Sequence, residues 1–112
     1  MLIDFEKIIG TIMPNMWGGE KEYAARIYSD QNVKIMEGRL IPGASIGLHT
    51  HKTNSEIIYV LSGCGKMIYN ETVEFLKAGD CHYCPKGCSH SFINKSDEDL
   101  VFFAIVPEHP EM

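Results

Sequence analysis

The chain has 112 residues, of which 45% are hydrophobic and 22% are charged, and its formal net charge is −5. This length and composition predict one globular domain over residues 1–112 and exclude a disordered chain. The negative charge argues against a nucleic-acid or anionic-membrane partner, because both bind basic surfaces. No stretch approaches the roughly 20 apolar residues of a membrane helix. The N-terminus lacks the basic start and long apolar core of a signal peptide, so we expect a cytoplasmic protein.

The N-terminal segment, residues 1–21, has little periodicity. Residues 3–9 predict a short turn or helix, and "PNMWGGE" at residues 14–20 is a loop by its turn residues. From about Glu22 to residue 107, short apolar runs alternate with turn signals, which is typical of an all-β sandwich or barrel. The predicted strands are "YAARIYS", "NVKIMEGRLI", "ASIGLHT", "SEIIYVLSG", "GKMIYN", "VEFLKA", "DCHYCP", "HSFIN" and "LVFFAIV".

Three groups that are costly to desolvate lie at the junction of two of these strands. His49 and His51 are two residues apart, so on a strand they share one face and can chelate one ion. Glu56 begins the next strand, across the "KTNS" turn. His90, which follows the "PKG" turn, is the natural fourth ligand. The alternative is that these are polar surface residues at strand ends.

The four cysteines are Cys64, Cys81, Cys84 and Cys88. Without a secretion signal, we expect free thiols and no disulfides. The C-x-x-C within "CHYCPKGC" suggests zinc, but Cys81 and Cys84 would face opposite sides of a strand. A second paired motif, which a strong zinc signal needs, is missing. The sequence therefore favours free thiols over a metal bound by cysteine.

Two motifs carry a resemblance to a known family. The first is Gly43, "ASIGL", His49, Thr50, His51, "KTNS", Glu56, "IIYVLS" and Gly63. The second is Gly79, "DCHYC", Pro85, Lys86, Gly87, "CS", His90, "SFI" and Asn94. In content and spacing the pair resembles the two motifs of the cupin superfamily. The glycines, Pro85 and Asn94 are interpreted as scaffold, since they stand at strand junctions and turns.

The resemblance implies an all-β fold, a double-stranded β-helix or jelly-roll barrel, with a short irregular or helical N-terminal segment. It also implies that His49, His51, Glu56 and His90 bind a metal. Such a nitrogen and oxygen donor set suits divalent Fe, Mn, Ni, Co, Cu or Zn. A degenerate barrel without metal is the alternative, although this sequence keeps all four ligands.

Four protein ligands on an octahedral ion leave two positions open, which is typical of a catalytic site. We expect a metal-dependent enzyme that acts on a small oxygenated organic molecule by dioxygenation, decarboxylation or isomerisation. The alternative is a non-catalytic small-molecule binding or sensing module, and a storage or structural role stays open. No catalytic residue besides the ligands is evident, and one fold hosts many functions.

Strand alternation predicts the walls of the pocket. Ile58 and Val60 share the face of Glu56, and Phe92 shares that of His90, so the wall is apolar and favours a small, partly hydrophobic or planar ligand. Tyr59 should face away from the metal, and the direction of His82 is left open.

Three apolar residues of the loop at residues 12–19, Met13, Met16 and Trp17, either close over the barrel mouth or pack into the core. Arg26 and Arg39 either bind a substrate carboxylate or form surface ion pairs.

The strand "LVFFAIV" at residues 100–106 is apolar on both faces, although only one face can line the barrel. Its second row comprises Val101, Phe103 and Ile105. Leaving such a row in water forgoes about 1.5–3 kcal/mol per large side chain. We therefore predict a homodimer that buries this row; cover by the N-terminal segment is the alternative.

Overall fold

Two antiparallel sheets form the protein in a computed structural model that describes residues 1–110. Short 3-10 turns lie at Phe5–Lys7 and Met16–Gly18. No helix within residues 1–110 has the length and apolar character needed to cross a membrane. The strands of the described residues are β1 (Thr11–Pro14), β2 (Glu22–Ser29), β3 (Val33–Leu40), β4 (Ser45–Thr50), β5 (Glu56–Ser62), β6 (Cys64–Tyr69), β7 (Thr72–Lys77), β8 (Cys81–Cys84), β9 (Ser89–Ile93) and β10 (Leu100–Pro107).

The strand order confirms the predicted jelly roll. One sheet has the order β1-β2-β3-β10-β5-β8, and the other has the order β4-β9-β6-β7. Strands that follow one another along the chain, such as β3, β4 and β5, alternate between the two sheets. This alternation lets β4, β5 and β9 converge at one end of the barrel, although they are far apart in sequence.

The core lies between the sheets and is built from alternate residues of each strand. In β10, Leu100, Phe102 and Ala104 are fully buried, whereas the intervening residues are only partly buried. The ring of Phe102 packs against those of Phe92 and Tyr23, with centroids 5.2 and 5.7 Å apart. Burial of such side chains contributes about 1.5–3 kcal/mol each, so the apolar rows hold the barrel together.

The N-terminal segment contains a strand that the sequence did not predict. β1 pairs antiparallel with β2, for example Thr11 with Ala25, and so forms an edge of the larger sheet. Pro14 is tolerated there because an edge strand need not donate every backbone N–H. Further upstream, the ring of Phe5 packs edge-on against Phe103 at 5.5 Å. The segment thus covers part of the outward row of β10.

Candidate metal centre

The four predicted ligands lie together between the sheets. His49 in β4 and His90 in β9 are cross-strand partners, His51 directly follows β4, and Glu56 begins β5. His90 Nε2 lies 2.9 Å from Glu56 Oε1, 3.0 Å from His51 Nε2 and 3.1 Å from His49 Nε2. His51 Nε2 is 3.1 Å from Glu56 Oε1. Four potential donor atoms therefore surround one point.

Hydrogen bonds on the side of the ring that faces away from the cluster show which nitrogen of His49 and of His51 carries the proton. His49 Nδ1 donates to the carbonyl of Gly47 at 2.8 Å, and a carbonyl can only accept. His51 Nδ1 donates to Asn54 Oδ1 at 2.6 Å. The orientation of the Asn54 amide is consistent with this, since its Nδ2 donates to Glu108 at 3.1 Å. Each neutral ring therefore directs the lone pair of Nε2 toward the centre.

A longer chain of hydrogen bonds assigns the proton on the third ring. The Glu74 carboxylate accepts from His82 Nδ1 at 2.7 Å, so His82 Nε2 is the acceptor nitrogen of its ring. That atom lies 3.0 Å from His90 Nδ1, which must then be the donor. The ring of His82 is buried, and the Glu74 side chain reaches the surface. His90 Nε2 is thus also left with a lone pair that faces the cluster.

This arrangement fits a bound cation. Three imidazole lone pairs and a carboxylate repel one another at about 3 Å unless positive charge lies between them. Two donors about 2.1 Å from one ion and at right angles to each other lie about 3.0 Å apart, which matches the separations here. The donor set has nitrogen and oxygen but no thiolate, and it suits a divalent transition metal.

The electrostatics of the cluster favour the ligating form of Glu56. Burial alone would raise the pKa of this carboxyl, but the adjacent His51 and His90 rings lower it to about 2. Burial lowers the pKa of His49, which keeps this ring neutral. For His51, burial also acts to lower the pKa, but Glu56 and Asn54 outweigh it and the pKa is raised. A metal must therefore compete with a proton at His51.

A second group of possible ligands lies beside the first and comprises His82, Cys84 and His90. The facing nitrogens of the two histidines already bond to each other. Burial raises the pKa of the Cys84 thiol to about 12, so it stays protonated and is a poor ligand. Cys81, in contrast, is exposed, as strand alternation predicted. All four cysteines are free.

A cavity of about 580 Å³ opens beside the cluster. Of the predicted wall residues, Ile58 and Phe92 line it. Val60 shares their face but pairs with Phe102 further along β5; it is fully buried in the core and is not one of the described residues that line the cavity. Tyr59 is exposed, as predicted.

Met13, which lies in β1 and not in a loop, and Met16 and Trp17 of the following 3-10 turn all line the cavity. The ring of Trp17 stacks on that of His49, with centroids 5.3 Å apart and planes 13° apart, and its side chain is 61% exposed. Two glycines allow this close approach. A Cβ on Gly47 would lie 1.9 Å from the Trp17 carbonyl oxygen, and one on Gly19 would lie 2.1 Å from that of Ser45.

Sequence reasoning missed the roles of His82 and Glu74. The sequence does not show which way His82 points, and it carries no signal for Glu74, because β7 and β8 must first be placed. Neither arginine lines the cavity in the described chain. Arg39 instead pairs with Asp99 at 2.8 Å on the surface, and Arg26 lies opposite Glu37 in the sheet.

The fold and the donor cluster together define a jelly-roll barrel with a candidate metal centre. The chain belongs to the cupin family, since the model of the cupin domain matches residues 36–106. An "oxalate-binding protein" from Thermotoga maritima is 32% identical to it, over 95% of this chain and 93% of the relative.

Solved structures agree with this assignment. The crystal structure of a "predicted oxalate decarboxylase" from Thermotoga maritima matches with a TM-score of 0.90 and 31% identity, over 96% of this chain and 99% of that one. A cupin "sugar phosphate isomerase" from Silicibacter pomeroyi matches with a TM-score of 0.76 and 22% identity, over 98% of this chain and 77% of that one. At 22% identity, the similarity to the Silicibacter pomeroyi structure supports the fold alone.

Proposed function

We propose that this protein binds a divalent transition metal through His49, His51, Glu56 and His90 and uses it to bind a small oxygenated organic acid. The observation that carries the proposal is the convergence of three imidazole lone pairs and one carboxylate beside an open cavity. Such a cluster is costly without a cation. Two positions of an octahedral ion would remain for ligand oxygens.

The chain's own groups favour an anionic ligand. When bound, the metal supplies Lewis-acid attraction for carboxylate oxygens and, if it is iron, manganese or copper, electron transfer. Lys34 and Lys52 line the cavity at its exposed rim, whereas Glu56 is the one carboxylate among the described lining residues. The lysines attract an acid to the mouth, and the apolar walls exclude water around it.

Oxalate is the first ligand to test. A curated protein and a solved structure, both from Thermotoga maritima and both similar over nearly the whole chain, carry oxalate in their names, at 32% and 31% identity. Oxalate offers two adjacent carboxylates, which match two neighbouring open positions on one ion. We propose it as a representative of small chelating acids.

In its first form, the proposal is that the protein turns over the acid with the help of the metal. Decarboxylation is the first reaction to test, ahead of dioxygenation and isomerisation. Non-catalytic binding or sensing is the second form. One observation favours the second: the described cavity lining holds no carboxylic acid beyond Glu56, and the hydroxyl of Tyr23 donates to Met36 Sδ at 3.8 Å. Burial raises the pKa of Tyr23, so this hydroxyl keeps its proton.

The test begins with metal analysis of protein purified anaerobically. Calorimetric titration with oxalate is then compared between metal-loaded and chelator-treated protein, and the same samples are assayed for CO₂ release and O₂ uptake. We expect stoichiometric metal and oxalate binding only when metal is present. Lack of metal-dependent binding by every acid tested would contradict the proposal, and turnover or its lack decides between the two forms.

We further propose a cytoplasmic location and a homodimer. The four free cysteines, Cys84 among them fully buried, are consistent with a reducing compartment. Fractionation of the source cells tests the location.

A further inference from the structure

The cavity beside the metal centre is larger than oxalate requires. Its volume of about 580 Å³ lies within the range of roughly 300–1,000 Å³ that holds drug-sized ligands. Oxalate consists of two carboxylates joined directly and has no apolar part. If oxalate were the physiological ligand, most of this cavity would be filled by water alone.

The walls away from the donor cluster are apolar and come from several strands. They include Met13 of β1, Ile27 of β2, Met36 of β3, Ile46 of β4 and Phe92 of β9. Met36, Ile46 and Phe92 are buried even without a ligand, and Met13 and Ile27 are partly buried against the core. Methionine side chains are flexible and polarisable, so this wall can adapt to apolar groups of different shape.

Polar and apolar groups are segregated within the cavity. The donor cluster of His49, His51, Glu56 and His90 and the polar stretch Thr50–Asn54 beside it supply most of the polar lining, and aliphatic, thioether and aromatic side chains form most of the rest. Lys34 and Lys52 lie at the rim. A ligand that matches this pattern has one chelating, anionic end and an apolar body.

We propose that the preferred ligand is a 2-oxo or 2-hydroxy monocarboxylic acid with an apolar side chain. The carboxylate and the adjacent oxygen would occupy the two open positions, and the side chain would fill the space between Met13, Ile27 and Met36. This inference rests on the proposed function, because it requires a metal in the cluster. Unlike the proposed function, it predicts that oxalate binds more weakly than these acids, because oxalate has no apolar side chain for the walls to contact.

The test is a series of acids titrated calorimetrically into nickel-loaded protein. The series is oxalate, pyruvate, 2-oxobutanoate, 4-methyl-2-oxopentanoate and phenylpyruvate, all at one pH and salt concentration. Each CH₂ that becomes buried should tighten binding by about fourfold, so affinity should rise along the aliphatic members. A flat series, or one in which oxalate binds most tightly, would overturn the inference.

The outcomes separate the two proposals. Oxalate binding with a flat series refutes only the apolar side chain, whereas lack of binding by every acid refutes the proposed function and the inference together. Chelator-treated protein provides the metal-free baseline for each titration.

A wall variant provides an independent readout. Met13→Gln places an amide in a partly buried position, so the fold should survive. It should weaken the binding of 4-methyl-2-oxopentanoate several-fold more than that of oxalate. Ile9→Gln is the matched control, because Ile9 is 91% exposed and does not line the cavity. Equal losses for both acids in Met13→Gln would contradict the proposed position of the side chain.

Discussion

At the residue scale, His51 is a member of the donor cluster whose Nε2 lies close to both Glu56 and His90. His51→Ala removes one imidazole donor. We expect metal affinity to fall by more than the roughly 10–100-fold typical of partners outside the ligand set. The fold should persist, because apolar burial supports the barrel. Chelator competition measures the affinity, and circular dichroism checks the fold.

The control for this variant is His109→Ala, which removes a histidine outside the cluster. His109 Nε2 bonds to Ser55 Oγ at 2.8 Å and makes no contact with the four donors. It should retain the affinity of the parent. Stoichiometric metal at unchanged affinity in His51→Ala would show that the assignment of ligands is incorrect.

We expect His82 to be a positioning residue, since its Nε2 contacts His90 Nδ1 and so orients this candidate ligand. His82→Phe keeps a ring but removes the acceptor for His90 Nδ1, so His90 can adopt the other tautomer. Metal affinity should drop by about 10–100-fold. His82→Gln, whose amide oxygen can accept the same hydrogen bond, should restore part of the loss.

A purely structural role for His82 predicts a different pattern. Both His82 variants would then lower the melting temperature, and their metal affinities would be equal. Tyr83→Phe, at the exposed neighbouring position, serves as the control for changes in β8. Parent affinity in His82→Phe would contradict the positioning role.

The four candidate ligands could be read from the sequence because they lie in two short motifs with fixed spacing. His82 and Glu74 could not, since β8 belongs to the larger sheet and β7 to the smaller one, and the two side chains meet only when the sheets pack on each other. Val60 shows the limit of strand alternation, which predicts the face of a side chain but not its depth along the strand. The convergence of donor atoms is likewise a property of the assembled sheets.

At the scale of elements, the 3-10 turn at Met16–Gly18 lies directly against β4. Gly47→Ala would place a methyl group 1.9 Å from the Trp17 carbonyl oxygen, so the turn or the strand must move. We expect a loss of about 1–3 kcal/mol in the free energy of unfolding, the usual cost of overpacking. Urea denaturation monitored by circular dichroism measures it.

Gly10→Ala is the matched control for this substitution. A methyl group on Gly10 would meet its nearest atom at 4.0 Å, which is an ordinary contact. Its stability should stay close to that of the parent. If Gly47→Ala were equally stable, the close packing of the turn on β4 would be disproved.

The strands from β2 onward were predictable because apolar runs and turn residues alternate there. β1 was not, because "TIMP" is short and contains proline, and its strand character depends on pairing with β2. The short 3-10 turn at Phe5–Lys7 agrees with the predicted turn or helix, and Asp4 caps it by accepting from Glu6 N. Apolar runs and turn residues thus predict the elements whose structure depends little on pairing with distant strands.

At the scale of the whole molecule, the outer face of the larger sheet is apolar along β10, β5 and β8, whereas β2 and β3 place Arg26, Glu37 and Arg39 on the same face. Phe103 is partly covered by Phe5, but Tyr59, Leu61 and Tyr83 on the adjacent strands are about half exposed. The N-terminal segment therefore covers only part of the face. Exposed contiguous apolar surface of this kind typically marks an interface.

We expect the protein to be a homodimer at micromolar concentration, with this face in the interface. Tyr59→Glu should shift it to a monomer in light scattering, because a carboxylate would be buried without a partner. Phe103→Glu tests the predicted row itself. Phe75→Glu is the control, since Phe75 is 79% exposed on the smaller sheet. A monomeric parent would refute the dimer, and a dimeric Tyr59→Glu would place the interface elsewhere.

Because Trp17 stacks on His49, its fluorescence can report whether a metal occupies the candidate site. Trp17 is the single tryptophan of the chain, so all indole fluorescence arises about 5.3 Å from a candidate ligand ring. An ion with unpaired d electrons in the cluster would quench that emission, whereas Zn²⁺, with its filled d shell, would leave it bright. Unlabelled protein in a cuvette would thus distinguish one class of metal from the other.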